Sequence, residues 1–266
     1  MTPARGPIGV FDSGLCGLTV LRSLIDVLPN DSMLYFGDTG RFPYGPKPRD
    51  EVLKYALEIG DLLVDRGAQL VVVACNSAAS AALDTLSDRL PVPVVGVIEP
   101  GLRAAARATR SGRVGVIGTI GTISSGAYPR VATQVTPGVE LTCAACPGFV
   151  EFVEAGDVDS EQVHVLAERL LAPLREADVD TLVLGCTHYP LLARTIGDVM
   201  GRNVVLVSSA DETAFAVREL LGSDAADARA SRSHTFVTSG DVATFRTLGG
   251  RFLGPEVEQV EAWTWS

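Results

Sequence analysis

The chain predicts an α/β protein built as two similar domains, with mainly parallel sheets flanked by helices. Three observations carry that expectation. Short apolar runs alternate with segments of helical period along most of the sequence. Several of these runs stop abruptly in polar or Gly/Pro-punctuated residues, as the carboxyl ends of buried parallel strands do. The pattern also starts afresh after Glu99-Pro100: Asp12 precedes Cys75 by 63 residues and Thr119 precedes Cys186 by 67, each pair joining a polar strand-end loop to a strand-end cysteine. Two similar halves follow, with their carboxyl strand ends meeting at a cleft.

Taken in order, Ile8 to Phe11 is a strand running into Asp12-Ser13-Gly14-Leu15-Cys16-Gly17. The next helix carries Leu18, Leu21, Ile25 and Leu28 on one face and stops at Pro29-Asn30. Met33 to Phe36 is a second strand, which empties into the loop Gly37 to Pro46. Asp50 is placed to cap the following helix, whose apolar positions include Val52, Tyr55, Ile59 and Leu62, and Arg66-Gly67 closes it. The strand Leu70 to Ala74 ends in Cys75-Asn76-Ser77. After it come a helix to about Arg89 and a strand from Val94 to Val97.

The second half repeats this grammar. A helix reaches Arg110, Val114 to Ile117 is a strand, and Gly118-Thr119-Ile120-Gly121-Thr122 is a loop. Glu140 to Ala145 is a strand, and Pro147-Gly148 opens a short helix carrying Glu151 and Glu154. Asp159 and Gln162 read as a capping pair for a helix with Val163, Leu166, Leu170 and Leu174 on one face. The run Leu182-Val183-Leu184 then ends in Gly185-Cys186-Thr187-His188-Tyr189, and Pro190 starts a helix to Met200. Val204 to Val207 is a strand and Asp211 to Leu221 a helix. Residues 222–233 form a surface loop, before a last strand at Thr235 to Val237.

With 32 acidic against 22 basic residues the net charge is −10, and no basic block is present. A nucleic-acid surface needs clustered Lys and Arg, so that partner is not expected, although a few local donors suffice for a small anion. The first residues hold no apolar signal core and no apolar run approaches membrane-spanning length. A cytoplasmic protein without a membrane partner is the expectation. Five cysteines, an odd number without an export signal, read as free thiols.

A single cysteine is most often a small buried hydrophobe. Cys75 and Cys186 differ, because each sits where an apolar strand gives way to polar side chains, the place where open α/β sheets bind ligands. Both are also expected near a helix N-terminus, which favours thiolate and makes a usable base near neutral pH. Cys143 and Cys146 have redox or zinc spacing, but they lie on a strand reading and no second ligand pair completes a metal site. No metal is expected. Asp12-Ser13-Gly14 suits a turn and equally a carboxylate cradle, while no G-x-G-x-x-G is present. His188 is placed to tune Cys186; His164 and His234 read as surface residues, and Glu154 by default as solvated.

Four segments together identify a resemblance: Gly9-Val10-Phe11-Asp12-Ser13-Gly14-Leu15, Gly37-Asp38-Thr39 through Pro43-Tyr44-Gly45, Ala74-Cys75-Asn76-Ser77-Ala78, and Leu184-Gly185-Cys186-Thr187-His188-Tyr189-Pro190-Leu191. In this order and combination the chain resembles the cofactor-independent glutamate racemase family. The resemblance implies two α/β domains with the active site between them and the chain returning to the first at its end, here residues 1–97 plus 208–266 and residues 98–207. It implies glutamate as the small-molecule partner, no cofactor, and a supply of D-glutamate for peptidoglycan. By similarity Cys75 acts on the D-isomer and Cys186 on the L-isomer, Asp12 and His188 assist them respectively, and Glu154 stands near the second cysteine. The substrate-binding set implied is Asp12, Ser13, Pro43, Tyr44, Gly45, Asn76, Ser77, Thr119, Thr122, Thr187 and His188.

The chemistry agrees with that set. Inverting Cα needs a proton to leave one face and another to arrive on the opposite face, so two bases answer the need. The charge that develops needs fixed donors. Pyridoxal phosphate would otherwise be the electron sink, but Lys47 between two prolines and Lys54 on a helix do not suggest a Schiff base. Two positions depart from the family. Cys16 stands where glycine is usual, and a cysteine tolerates positive φ poorly. Ser77 keeps a hydroxyl where threonine is commoner. Activation by a cell-wall precursor, associated with an N-terminal extension, is not expected, and a homodimer is compatible with the family. The rival readings are a racemase for aspartate and an amino-acid binding protein without chemistry.

Overall fold

The computed structural model of the chain describes residues 6–222, 233–257 and 259–265. Two compact units emerge, Met1–Val97 with Ala210–Ser266, and Ile98–Ser209. In the first unit, β1 (Ile8–Asp12), α1 (Leu18–Val27), β2 (Met33–Gly37), α2 (Arg49–Asp65), β3 (Leu70–Val73), α3 (Asn76–Arg89) and β4 (Val94–Gly96) alternate strictly. β1 pairs with β2 in the register Ile8↔Met33 and with β3 as Ile8↔Leu70, both parallel. Every residue of β1, β2 and β3 is buried, as expected for strands covered on both faces.

The second unit contains α4 (Ile98–Ala108), β5 (Arg113–Gly118), α5 (Ile120–Ser124), α6 (Ala127–Val135), β6 (Glu140–Ala145), α7 (Phe149–Glu154), α8 (Glu161–Glu176), β7 (Thr181–Gly185), α9 (Ala193–Met200) and β8 (Val205–Val207). Its parallel sheet has the order β6-β5-β7-β8. Phe149, Leu171, Leu174, Leu182, Tyr189 and Ile196 belong to its buried core. The chain then returns to the first unit with α10 (Ala210–Leu221), β9 (His234–Thr238), α11 (Val242–Leu253) and β10 (Val260–Ala262), completing the order β10-β9-β2-β1-β3-β4.

The duplication is visible in the connectivity. The first four strands run β2-β1-β3-β4 and the next four β6-β5-β7-β8, the same order in each unit. In both, the chain steps outward from the first strand to the second and returns to the other side for the third. The first and third strands therefore flank the topological switch point, where loops diverge and leave a crevice at the carboxyl ends.

Several expectations are corrected. The crossing back lies at Ser209/Ala210 rather than 207/208, because buried Ser209 still packs beside Gly101 of α4. Pro48, not Asp50, occupies the N-cap of α2, leaving Asp50 inside the first turn, where its charge suits the helix dipole. The α2 face is turned by one residue, so Ala56 and Leu63 are buried instead of Tyr55 and Leu62. Ser160 caps α8 by accepting from Val163 N–H at 3.3 Å, displacing the Asp159/Gln162 pair. Ala167 and Leu171, not Leu166 and Leu170, complete the buried α8 face.

Thr119 to Thr122 is not an open loop, since Thr119 caps the short α5. Residues 189–192 form a 3-10 turn before α9 begins. The strand at His234–Thr238 is followed by α11 and β10, so it is not the last, and His234 is half-buried within it. Within the proposed surface loop, residues 223–232 lie outside the described residues. Among the described residues, no helix is long and apolar enough to cross a membrane.

Candidate functional site

Each unit brings one cysteine to its switch point. In the first, β1 ends at Asp12 and β3 delivers Cys75, the N-cap of α3, whose Sγ accepts from Ala78 N–H at 3.5 Å. The Cys75 thiol reaches Ser13 Oγ at 3.6 Å. Asp12, Ser13, Cys75, Asn76 and Ser77 are all buried. Asp12 Oδ2 accepts from Gly14 N–H at 3.0 Å, which turns the strand end back on itself. Gly17 is required beside it: a Cβ there would lie 2.4 Å from Asp12 Cβ.

This environment overturns one expectation. The helix N-terminus does donate to Cys75, but burial and the nearby Asp12 charge dominate and push the thiol up to about 12. Cys75 is therefore held protonated near neutral pH. Cys16 is buried, and Asp178 is the sole non-glycine with positive φ among the described residues, so cysteine in place of glycine imposes no left-handed backbone. The loop after β2 is led by Asp38, which is fully buried and accepts from the Tyr44 hydroxyl. Tyr44 thus spends its hydroxyl on Asp38, while Pro43 is half-buried and Gly45 buried.

In the second unit Cys186 follows β7 directly. Its Sγ lies 3.7 Å from His188 Nδ1, and His188 Nε2 lies 2.7 Å from Glu154 Oε1. Cys186 and His188 are buried, whereas the Glu154 side chain is 39% exposed. This thiol–imidazole–carboxylate chain can shuttle a proton: the carboxylate fixes the far nitrogen, leaving the near one to exchange with sulfur. Cys186 does not sit at an α-helix N-terminus, because the 3-10 turn intervenes. The group beside its sulfur is the His188 imidazole instead. Thr119 Oγ1 and Thr122 Oγ1 are 3.0 Å apart at the end of β5, and Thr187 is buried beside Cys186 in sequence.

One support escaped sequence reasoning. Tyr128 is buried on α6, an element the sequence pattern did not reveal, and its hydroxyl would stand 2.9 Å from a Cβ on Gly185. That glycine, one residue before Cys186, was the available signal, since its Cβ would also meet Ile117 O at 2.5 Å. Cys146 is buried in the core that also holds Cys186, accepting through its carbonyl from the Tyr189 hydroxyl at 3.1 Å. Burial pushes the Cys143 and Cys146 thiols up to about 11 and 12, with Cys186 adding to the shift at Cys146.

Parallel sheets that deliver a thiol to each switch point, beside a carboxylate in one case and an imidazole in the other, define an α/β enzyme equipped for proton transfer. The model of the Asp/Glu/Hydantoin racemase family matches residues 18–217, and the chain belongs to that family. It is an isomerase acting on amino acids. A protein of Parafrankia sp. named glutamate racemase is 54% identical over 96% of this chain and 93% of its own length. The crystal structure of glutamate racemase isoform RacE1 from Bacillus anthracis superposes with a TM-score of 0.90 at 40% identity, covering 98% of this chain and 97% of that one. That of glutamate racemase from Francisella tularensis in complex with D-glutamate gives 0.90 at 31% identity, with 98% of each chain covered.

Proposed function

We propose that this chain interconverts L- and D-glutamate without a cofactor, by two thiols acting on opposite faces of Cα, and that it supplies D-glutamate for peptidoglycan. The observation that carries the reading is the repeated strand order, which puts Cys75 and Cys186 at equivalent positions, each with its own proton-handling neighbours. The names of relatives more than half identical over nearly the whole chain support glutamate as substrate.

In the L-to-D direction Cys186, its proton passed toward His188, removes the Cα proton. Cys75, held as a thiol by burial and Asp12, delivers its proton to the other face. The reverse reaction starts with Cys75 as thiolate and Cys186 as thiol, so each turnover exchanges their states. Asp12 and His188 assist, and Glu154 orients the imidazole. Ser13, Gly45, Asn76, Ser77, Thr119, Thr122 and Thr187 offer donors for the carboxylates and the developing charge. Lys47 and Lys54 pair with Glu51 at 3.0 Å and Glu58 at 3.8 Å on α2.

Purified protein incubated with L-glutamate in deuterated water, under reducing conditions and without added cofactor, tests the reading. Loss of optical rotation with deuterium at Cα is expected. An unchanged sample would sink it. Binding without deuterium incorporation would instead favour the amino-acid binding protein, and faster turnover of aspartate would reassign the substrate.

A further inference from the structure

The Asp38 carboxylate, at the end of β2, collects four side-chain donors. Oδ2 accepts from Arg41 Nε at 2.6 Å and from the Tyr44 hydroxyl; Oδ1 accepts from Ser239 Oγ at 2.6 Å and Trp265 Nε1 at 3.0 Å. A carboxylate has about four lone-pair positions, so this acceptor is filled. The donors divide by origin. Arg41 and Tyr44 belong to the loop after β2, whereas Ser239 follows β9 and Trp265 follows β10.

Further contacts tie the same segments. The Arg41 guanidinium carbon lies 3.9 Å from the Trp265 ring centroid and 3.9 Å from that of Tyr55. Gly40 N–H donates to Ser239 Oγ at 2.9 Å. The loop in turn bears on the Cys75 side. Asp38 N–H donates to Asp12 O at 3.0 Å, and the Phe42 ring covers Gly14, where a Cβ would lie 3.0 Å from Phe42 Cδ2.

We infer that Trp265 and Ser239 are positioning residues for the reaction: through Asp38 they hold the loop carrying Pro43-Tyr44-Gly45 in register with Asp12 and Ser13. This rests on the proposed racemase reading, in which that loop meets glutamate. A loop of mixed Gly, Pro and polar residues has little packing of its own to fix its shape. A hydrogen bond to a buried charged acceptor is the kind of interaction whose loss is felt most.

The test uses the full chain with Trp265→Phe, which keeps an aromatic ring but loses the indole N–H, and Ser239→Ala, which removes the other donor to Oδ1. Each variant is expected to raise KM for L-glutamate about three- to tenfold with kcat within about twofold of the parent. Trypsin cleavage after Arg41 is expected to accelerate about tenfold, since the loop opens more often. Active variants with an unchanged KM would overturn the inference, as would a fall in kcat alone. Should Trp265→Phe not fold, Ser239→Ala decides; failure of both to fold would make the network a requirement of the fold and likewise overturn a positioning role. A parent chain that does not racemise glutamate would overturn the underlying reading, while the cleavage rates would still report whether the loop is anchored as inferred.

Discussion

Around Cys75 the charged neighbour is a buried carboxylate, Asp12; around Cys186 it is an imidazole, His188, whose far nitrogen is bound to Glu154 at 2.7 Å. The two thiols follow equivalent strands of a repeated topology, so the difference does not come from the scaffold. It comes from the residues at the strand ends: Asp12 closes β1, whereas His188 follows β7. A negative charge in a dry site keeps a thiol protonated, whereas an imidazole offers its proton somewhere to go. One scaffold can thus surround its two thiols differently by changing the residues at its strand ends.

Replacing either thiol should have the largest effect. Cys75→Ser and Cys186→Ser are each expected to lower kcat by about a thousandfold or more, measured polarimetrically. Full activity in either variant would rule out the two-base assignment. The partners should matter next, and unequally. His188→Asn is expected to lower kcat about a hundredfold and Glu154→Gln about tenfold, because the half-exposed carboxylate acts only through the ring. Equal losses would mean that Glu154 touches substrate itself. On the other side, Asp12→Asn should move the alkylation pH profile of Cys75 to lower pH, since removing the negative charge eases ionisation of the thiol.

A third comparison concerns packing. Gly185→Ala should destabilise the second unit by about 1–3 kcal/mol, as the new methyl meets Ile117 O and the Tyr128 hydroxyl. Gly17→Ala should act similarly in the first, pressing on Asp12, and thermal unfolding of each variant checks both. The smallest effect is the response to alkali. The Cys75, Cys143 and Cys146 thiols are raised from about 9 to between about 11 and 12 in the folded chain. From pH 9 upward the unfolded chain loses these protons first, so stability present below pH 9 should fall as pH rises toward 12. Cys75→Ser should flatten part of that slope in denaturant titrations across this range.

Much of this was legible in the sequence. The central strands were readable because burial on both faces makes their sequences continuously apolar, as in Leu70 to Val73 and Leu182 to Leu184. The cysteines were readable because each interrupts such a run. Less visible were α6, whose N-cap Gly126 is left-handed and whose first turn contains Pro129, and the elements after β9, where Gly249, Gly250 and Gly254 obscure the periodicity of α11. Capping slipped by two residues at Pro48, which caps α2 without a side-chain hydrogen bond, and by one at Ser160, where adjacent polar residues compete for the same role. The Cys75 protonation state could not be read at all. Proximity of a helix N-terminus argued one way, and only the three-dimensional enclosure of the thiol with Asp12 showed that burial and charge win.

The order of synthesis gives the strand pairing of the first unit one more consequence. β2 pairs with β9 in the register Met33↔His234, a partner made 201 residues later, after the whole second unit. Until then one edge of β2 has no strand to bond, and an apolar run with an open edge is a template for wrong partners. The second unit is continuous in sequence and can close as soon as it leaves the ribosome. The first must wait for its own end, so truncations beyond Ser209 should leave a chain with one finished sheet and one exposed edge.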